Sequence, residues 1–247
     1  MPSTDGGRGS ASDGAVPFAD PASEVAGGQR MIELGLKVTL AYLVGSVLGS
    51  LLVGFFYGGV DIRKTGSGNA GGTNALRTQG KVFALWVMII DIGKGILAAI
   101  VIPPLVIPGV GIDASVDRSL VLYAVALAAI VGHVFPVWFG FRGGKGAATA
   151  AGLVCYLAPA AGLAMLGSWV VVAFATGFVG LATISAALVA VIVIGFTALP
   201  EESGLFLFGC ATAALVIYAH RGNIRRMLDG TESRFSSPAA RWLRRDQ

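Results

Sequence analysis

Residues 82–106 read VFALWVMIIDIGKGILAAIVIPPLV, and this run decides the class of fold. It is longer than the roughly 20 apolar residues that a helix needs to cross a bilayer. Pro103, Pro104 and Pro108 close it, and Asp91 and Lys94 are its two charges. A lone charge at that depth costs about 2.5–3.5 kcal/mol on insertion scales. An i, i+3 spacing, however, sets the two on one helical face, where they can pair. Such a pair either lines a polar cleft or braces neighbouring helices, and the residues alone leave both readings open.

Immediately upstream lies a stretch of opposite character, DIRKTGSGNAGGTNALRTQGK, from Asp61 to Lys81. Gly66, Gly68, Gly71 and Gly72 alternate with Ser67, Asn69, Thr73 and Asn74, between Arg63/Lys64 and Arg77/Lys81. Glycines permit positive φ and close backbone approach. Successive N–H groups in such a turn make an anion nest, and a helix starting there adds its positive end. Gly68, Asn69, Thr73 and Asn74 are therefore expected to contact substrate, and Arg77 can fork two bonds onto a phosphate. A flexible loop whose cations only orient the protein in the membrane would have a similar composition.

Further apolar runs extend the pattern in both directions. Candidate spans cover about Ile32–Tyr57, Leu120–Phe139, Ala147–Leu157, Ala161–Ala175, Leu181–Leu199 and Leu205–Ala219. Pro159, Gly167/Ser168 and Gly177–Gly180 divide the long stretch in the middle. Gly45 and Gly49 have the GxxxG spacing that lets another helix approach. With about seven spans, every basic segment falls on one face: Asp61–Lys81, Arg142/Lys145 and the arginine-rich tail after Ala219. Asp113 and Asp117, with Arg118 beside them, and Glu201 and Glu202 fall on the other. The positive-inside bias then puts the N-terminus out and the C-terminus in. Glu33 and Lys37, near the start of the first span, read as an interfacial pair with snorkelling side chains.

Composition agrees. The 247 residues are 55% hydrophobic and 13% charged, with mean hydropathy +0.76, whereas a soluble domain carries about a quarter charged residues. The expected fold is all-α, a polytopic integral membrane protein. Net charge +4 is no sign of nucleic acid, because the cations sit in loops beside apolar spans, as membrane topology requires. Cys155 and Cys210 lie in apolar segments without metal-ligand spacing, so neither a disulfide nor a metal or cofactor site is expected. Residues 1–30 lack any helical or strand period and read as a disordered tail rather than a cleaved signal. Residues 31–220 form the transmembrane domain with its loops, and 221–247 a basic cytoplasmic segment.

Two more polar clusters share the basic face. The third span ends in GHVFPVWFGFRGGKG, Gly132 to Gly146. There Arg142, Gly143, Gly144, Lys145 and Gly146 offer backbone donors and a mobile cation ahead of the next helix. The loop is not a Walker A motif, since Phe139 and Gly146 stand where that pattern needs Gly and Ser or Thr. His133 either lines the same site or hydrogen-bonds across helices. The last cluster is HRGNIRRMLDGTESR, His220 to Arg234, in which His220, Asn223 and Arg226 can share a helix face. An amphipathic segment on anionic headgroups would explain its arginines but not His220, Asn223 or the Gly230–Glu232 turn.

Together SGNAGGTNALR, GHVFPVWFGFRGGKG and HRGNIRRMLDGTE resemble the three motifs of the bacterial membrane glycerol-3-phosphate acyltransferases that use acyl phosphate as donor, the PlsY family. DIGKG in the second span fits the same family. Gly72, Arg142 and Met227 replace a usual Ala, Lys and Leu, and none of these changes removes a catalytic group. The resemblance implies about seven helices in a bacterial cell membrane, with the site facing the cytoplasm. It implies acyl transfer from acyl phosphate to the 1-hydroxyl of glycerol 3-phosphate, giving lysophosphatidic acid and phosphate. The phosphate acyltransferase that makes acyl phosphate is an implied partner. Catalysis and binding fall to the matching Ser67, Arg77, Lys145, His220 and Asn223. The residues themselves show no Ser–His–Asp set and no acid four positions after either histidine, where Trp138 and Arg225 stand. Catalysis would then rest on positioning and on cationic stabilisation of the departing phosphate. A transporter for a small phosphorylated anion would place its site near the midplane, with inverted repeats, and no repeat is visible.

Overall fold

The computed structural model describes residues 21–114 and 116–234, with side chains from residue 31 onward. Ten α-helices follow one another: α1 Pro21–Gly45, α2 Gly49–Phe56, α3 Gly72–Gln79, α4 Lys81–Val101, α5 Arg118–Val134, α6 Ala147–Leu157, α7 Pro159–Thr176, α8 Val179–Ala198, α9 Ser203–Ala219 and α10 Arg221–Leu228. Single 3-10 turns stand at Ile62–Lys64 and Val137–Phe139, and no strand is formed among the described residues.

The boundaries follow local chemistry. Pro159 takes the first position of α7, where its missing N–H is no loss. Gly177 ends the same helix in the left-handed region at φ 75. Four helices are long and apolar enough to cross a membrane: α4, α5 with its following turn, α7 and α8. Two bent pairs bring the total to six, α1–α2 at 44° and α9–α10 at 52°. The expected fourth span is the 11-residue α6, only about 16 Å long, well short of a hydrocarbon core of about 30 Å.

Two expectations need correction. Helix α1 begins at Pro21, so residues 21–30, placed in the disordered tail, are helical; residues 1–20 lie outside the described set. Proline suits the first helical position. Glu33 and Lys37 therefore sit inside a helix rather than at its start. They do not snorkel: their exposure is 1% and 0%. Glu33 accepts from Lys37 Nζ (2.8 Å), from Arg118 Nη1 and Nη2 (2.7 and 3.3 Å) and from the Asp113 amide (3.0 Å). Lys37 also donates to the Pro103 carbonyl at 2.6 Å.

Small residues set the helix spacing. α1 runs along α5, α4 against α6, α7 along α8 and α8 against α9. A Cβ on Gly45 would stand 2.1 Å from the Ala129 carbonyl, and one on Gly132 would stand 2.2 Å from that of Tyr42. Gly49 faces α4 instead, 2.9 Å from the Val87 carbonyl. The predicted glycine pair thus serves two different helices, because the chain breaks between its members. Large apolar side chains such as Leu163 and Phe196 point outward at 74% and 86% exposure, the surface expected where lipid is the solvent.

At the α1–α2 break the Gly49 amide and the Val47 carbonyl are claimed by side chains of α4. Asp91 Oδ1 accepts from Gly49 N at 3.1 Å, and Lys94 Nζ donates to Val47 O at 2.6 Å. Lys94 also meets Asp91 Oδ1 at 3.0 Å and His133 Nδ1 at 2.8 Å. Free backbone groups at membrane depth must be satisfied within the protein. The buried pair of the DIGKG span therefore acts as a brace, although Asp91 and His133 also line the cavity described next.

Candidate active site

The first polar loop is organised by Asn74, which is 2% exposed. Its Nδ2 donates to the carbonyls of Ile62, Thr65 and Asn69 (2.8, 3.1 and 2.9 Å), and its Oδ1 accepts from Ser67 N at 2.9 Å. Expected to bind substrate, this amide is committed to the loop backbone. Asn69 Oδ1 accepts from Gly71 N at 2.9 Å, in an Asx turn that leads into α3. Asp61 caps the turn before it and is gripped by Arg63 Nε and Nη2 at 3.0 and 2.9 Å. That guanidinium holds the Asp61 carboxyl below its usual range. Ser67, Asn69, Thr73, Arg77 and Asn74 itself then line a cavity.

The second loop returns from α5 flat against His133. The Gly143 and Gly144 amides donate to the carbonyls of Val134 and His133 at 3.3 and 3.1 Å. A Cβ on Gly144 would stand 2.0 Å from His133 Nε2. Gly146 adopts φ 76 and opens α6. These glycines shape the path that delivers Lys145 to the cavity, but Gly143, Gly144 and Gly146 do not line it, and neither do Gly68 or Arg142. Arg142 is exposed, because the chain turns outward ahead of the glycines.

The third cluster closes the ring. His220 is 4% and Asn223 6% exposed. His220 Nδ1 lies 2.8 Å from the Val216 carbonyl. A carbonyl can only accept, so Nδ1 carries the hydrogen, and in the neutral ring Nε2 keeps its lone pair. Asn223 Oδ1 accepts from Lys145 Nζ, and its Nδ2 donates to Glu232 Oε1 at 2.6 Å. Arg226 Nε meets Glu232 Oε2 at 2.6 Å, and Arg77 Nη1 donates to Ser233 Oγ at 2.9 Å. Residues 221–233, in the segment set apart from 221 onward, thus bring Arg226, Glu232 and Ser233 to the same cavity as Asn223. Sequence reasoning did not count Glu232, Ser233 or Gly180 among the site residues; a Cβ on Gly180 would stand 3.0 Å from that of Asn223.

All three clusters open into one cavity of about 660 Å³. Its polar end holds Ser67, Arg77, Lys145, His220, Asn223 and Arg226, and its other end runs between α6, α7, α8 and α9 past Val154, Met165, Trp169, Ala190 and Val216. Burial and the nearby Arg226 push the Lys145 ammonium down to about 8, with Arg77 adding to this and Glu232 opposing it. Lys145 is charged at neutral pH, and an incoming phosphate would strengthen that charge. The first turns of α3 and α6 also border the cavity through Gly72, Thr73, Ala147 and Ala148, adding positive helix ends.

A membrane-embedded helical enzyme with a cationic, anion-binding pocket that leads into an apolar groove is the class this arrangement defines. The family model for glycerol-3-phosphate acyltransferase matches residues 36–230. A glycerol-3-phosphate acyltransferase of Chlorobaculum parvum is 36% identical over 220 residues, covering 81% of this chain and 95% of that protein. One from Chlorobium luteolum is 34% identical over 230 residues, covering 83% and 98%. Two crystal structures of PlsY, an integral membrane glycerol 3-phosphate acyltransferase, superpose with TM-scores of 0.70 and 0.71 at 35% and 34% identity. They cover 82% and 85% of this chain and 96% and 98% of theirs, and they are the glycerol 3-phosphate and lysophosphatidic acid forms. The chain belongs to the glycerol-3-phosphate acyltransferase family.

Proposed function

We propose that the enzyme transfers an acyl group from acyl phosphate to the 1-hydroxyl of glycerol 3-phosphate, releasing lysophosphatidic acid and phosphate. The observation that carries this reading is the junction of a three-cluster cationic pocket with an apolar groove in one cavity. Such a cavity fits an amphiphile whose phosphate-bearing end lies against Lys145 and Arg77. The forms in which the related PlsY structures were solved support the acceptor and the product. The donor is the one that the resemblance of the three motifs implies. Acyl phosphate is already an activated anhydride, so the hydroxyl oxygen bonds the carbonyl carbon while the bond from that carbon to the phosphate oxygen breaks. The hydroxyl proton passes to the departing phosphate, and no acyl-enzyme forms.

His220 orients bound glycerol 3-phosphate by accepting from its 2-hydroxyl through the Nε2 lone pair, since the one hydrogen of the attacking 1-hydroxyl goes to the phosphate. His220→Asn then retains substantial turnover, because an amide can accept the same hydrogen bond. Equal and near-complete loss in His220→Asn and His220→Ala, with both proteins folded, would make the imidazole a base worth about 10²–10⁴ in rate.

The topology in this reading has seven spans, with α6 as a short one, the N-terminus outside and the site on the cytoplasmic side. The basic loops on one face support it. A phosphate acyltransferase that makes the donor would be the enzyme's supplier. Purified protein given glycerol 3-phosphate with acyl phosphate, acyl-CoA or acyl carrier protein tests the proposal. Lysophosphatidic acid formed from acyl-CoA but not from acyl phosphate would overturn the donor assignment.

A further inference from the structure

Glu232 follows α10 on a turn made by Gly230 at φ 70. The amides of Thr231 and Glu232 both donate to the Arg226 carbonyl, at 2.8 and 3.0 Å. The turn folds the carboxylate back over α10, where its side chain is 5% exposed. One oxygen accepts from Asn223 Nδ2 and the other from Arg226 Nε, each at 2.6 Å.

A carboxylate has no hydrogen to give, so only the NH₂ side of an amide can face it. That requirement turns Asn223 Oδ1 the other way, onto Lys145 Nζ. With the amide reversed, its NH₂ would oppose the ammonium and its oxygen would oppose the carboxylate, leaving two like-signed contacts. We propose that Glu232 is a positioning residue of the acyl-transfer site: it fixes the orientation of the Asn223 amide and so holds the Lys145 ammonium in the cavity, while keeping Arg226 engaged beside it. This rests on the assignment of Lys145 and Asn223 to the phosphate site.

The charges around Lys145 make the role measurable. Arg77 of α3, Arg226 of α10 and His220 at the end of α9 surround it, and Glu232 is the acid acting on it. Asp91 borders the same cavity but is held by Lys94 and the Gly49 amide. Loss of the Glu232 charge leaves Lys145 among cations, so its proton departs at lower pH.

The test is kcat/KM against pH for the full-length protein, Glu232→Gln and Glu232→Asp, with Lys145→Ala as reference and the acyl donor selected above. Glu232→Gln is expected to lose about 10- to 100-fold in turnover, the scale seen when partners that orient metal-bound ligands are removed. Its alkaline limb should move below that of the unaltered protein. Glu232→Asp keeps the charge but reaches less far, so its limb should stay in place while turnover falls part of the way. A Glu232→Gln limb coincident with the parent's overturns the proposal. So does a loss confined to KM for glycerol 3-phosphate, which would make Glu232 a direct substrate ligand. If the Gln variant does not fold, parental turnover in Glu232→Asp overturns it equally. Parental activity in Lys145→Ala would instead sink the site assignment, a separate failure from an indifferent Glu232.

Discussion

Two charged clusters lie at opposite ends of α5. At its start, Glu33 and Lys37 meet Arg118, the Asp113 amide and the Pro103 carbonyl. Past its end, Lys145 and Arg226 meet Asn223 and Glu232. The residue types are alike, but the first cluster is closed. Both Glu33 oxygens are occupied, and Lys37 has two partners within the protein. In the second, Lys145 gives one of its three hydrogens to Asn223 and borders open space. A cluster satisfied from within holds helices together, whereas one with donors left over is built to receive a ligand.

The contrast is broken most sharply at Lys145. Lys145→Ala should lower turnover about 10³-fold, the upper range for removing one group that stabilises developing charge, with a melting temperature close to the parent's. A large loss of melting temperature with activity per folded molecule intact would make the open cluster a brace like the other. Glu33→Ala should do the reverse. It strands the buried Lys37 and unpairs the partly exposed Arg118, and should cost about 3–5 kcal/mol of stability, leaving the specific activity of the folded fraction near normal; an unimpaired fold with lost turnover would refute the distinction.

The Asp91–Lys94 pair lies between these extremes, as a brace that also touches the cavity. Asp91→Ala or Lys94→Ala alone should destabilise more than the double change, because each single change leaves one charge unpaired. A double mutant that folds normally yet is inactive would move the pair from brace to site. The smallest effect is on pH. Lys145, pushed down to about 8, is charged below that value and loses its proton above it. kcat/KM should therefore be level from neutrality and fall to half near pH 8, while kcat falls at higher pH because bound phosphate favours the ammonium. A kcat/KM profile flat to pH 9 would mean that Lys145 is not needed as a cation.

Much of this arrangement was legible from local pattern. Pro159 and Gly177 mark the ends of α7, and the alternation of apolar runs with basic glycine-rich loops separates the spans from the site. What escaped depends on partners distant in the chain. Burial of Glu33 and Lys37 needs Arg118, 85 positions from Glu33, and nothing near either residue announces it. Asn74 and Asn223 look equivalent in the sequence, yet the amide of one is saturated by backbone carbonyls while that of the other meets a cation and an acid. Gly143 and Gly144 have the composition of an anion nest, but their amides are claimed by the end of α5. The GxxxG spacing was visible, and its division between α4 and α5 followed from a helix break that spacing does not encode.

Helix α6 has one further consequence. It leaves the cationic pocket at Lys145 and in 11 residues arrives beside Glu201 and Glu202 at the opposite end of the bundle. Its rise of about 16 Å is roughly half of a hydrocarbon core about 30 Å deep. In the proposed topology α6 crosses the membrane, and a crossing that short is met by thinning the lipid or by sinking the pocket below the headgroups. Either way the polar frontier dips toward the depth at which acyl chains already lie. For the proposed reaction, a water-soluble acceptor would then descend to meet a lipid-borne carbonyl, and the chain attached to that carbonyl would stay in the hydrocarbon.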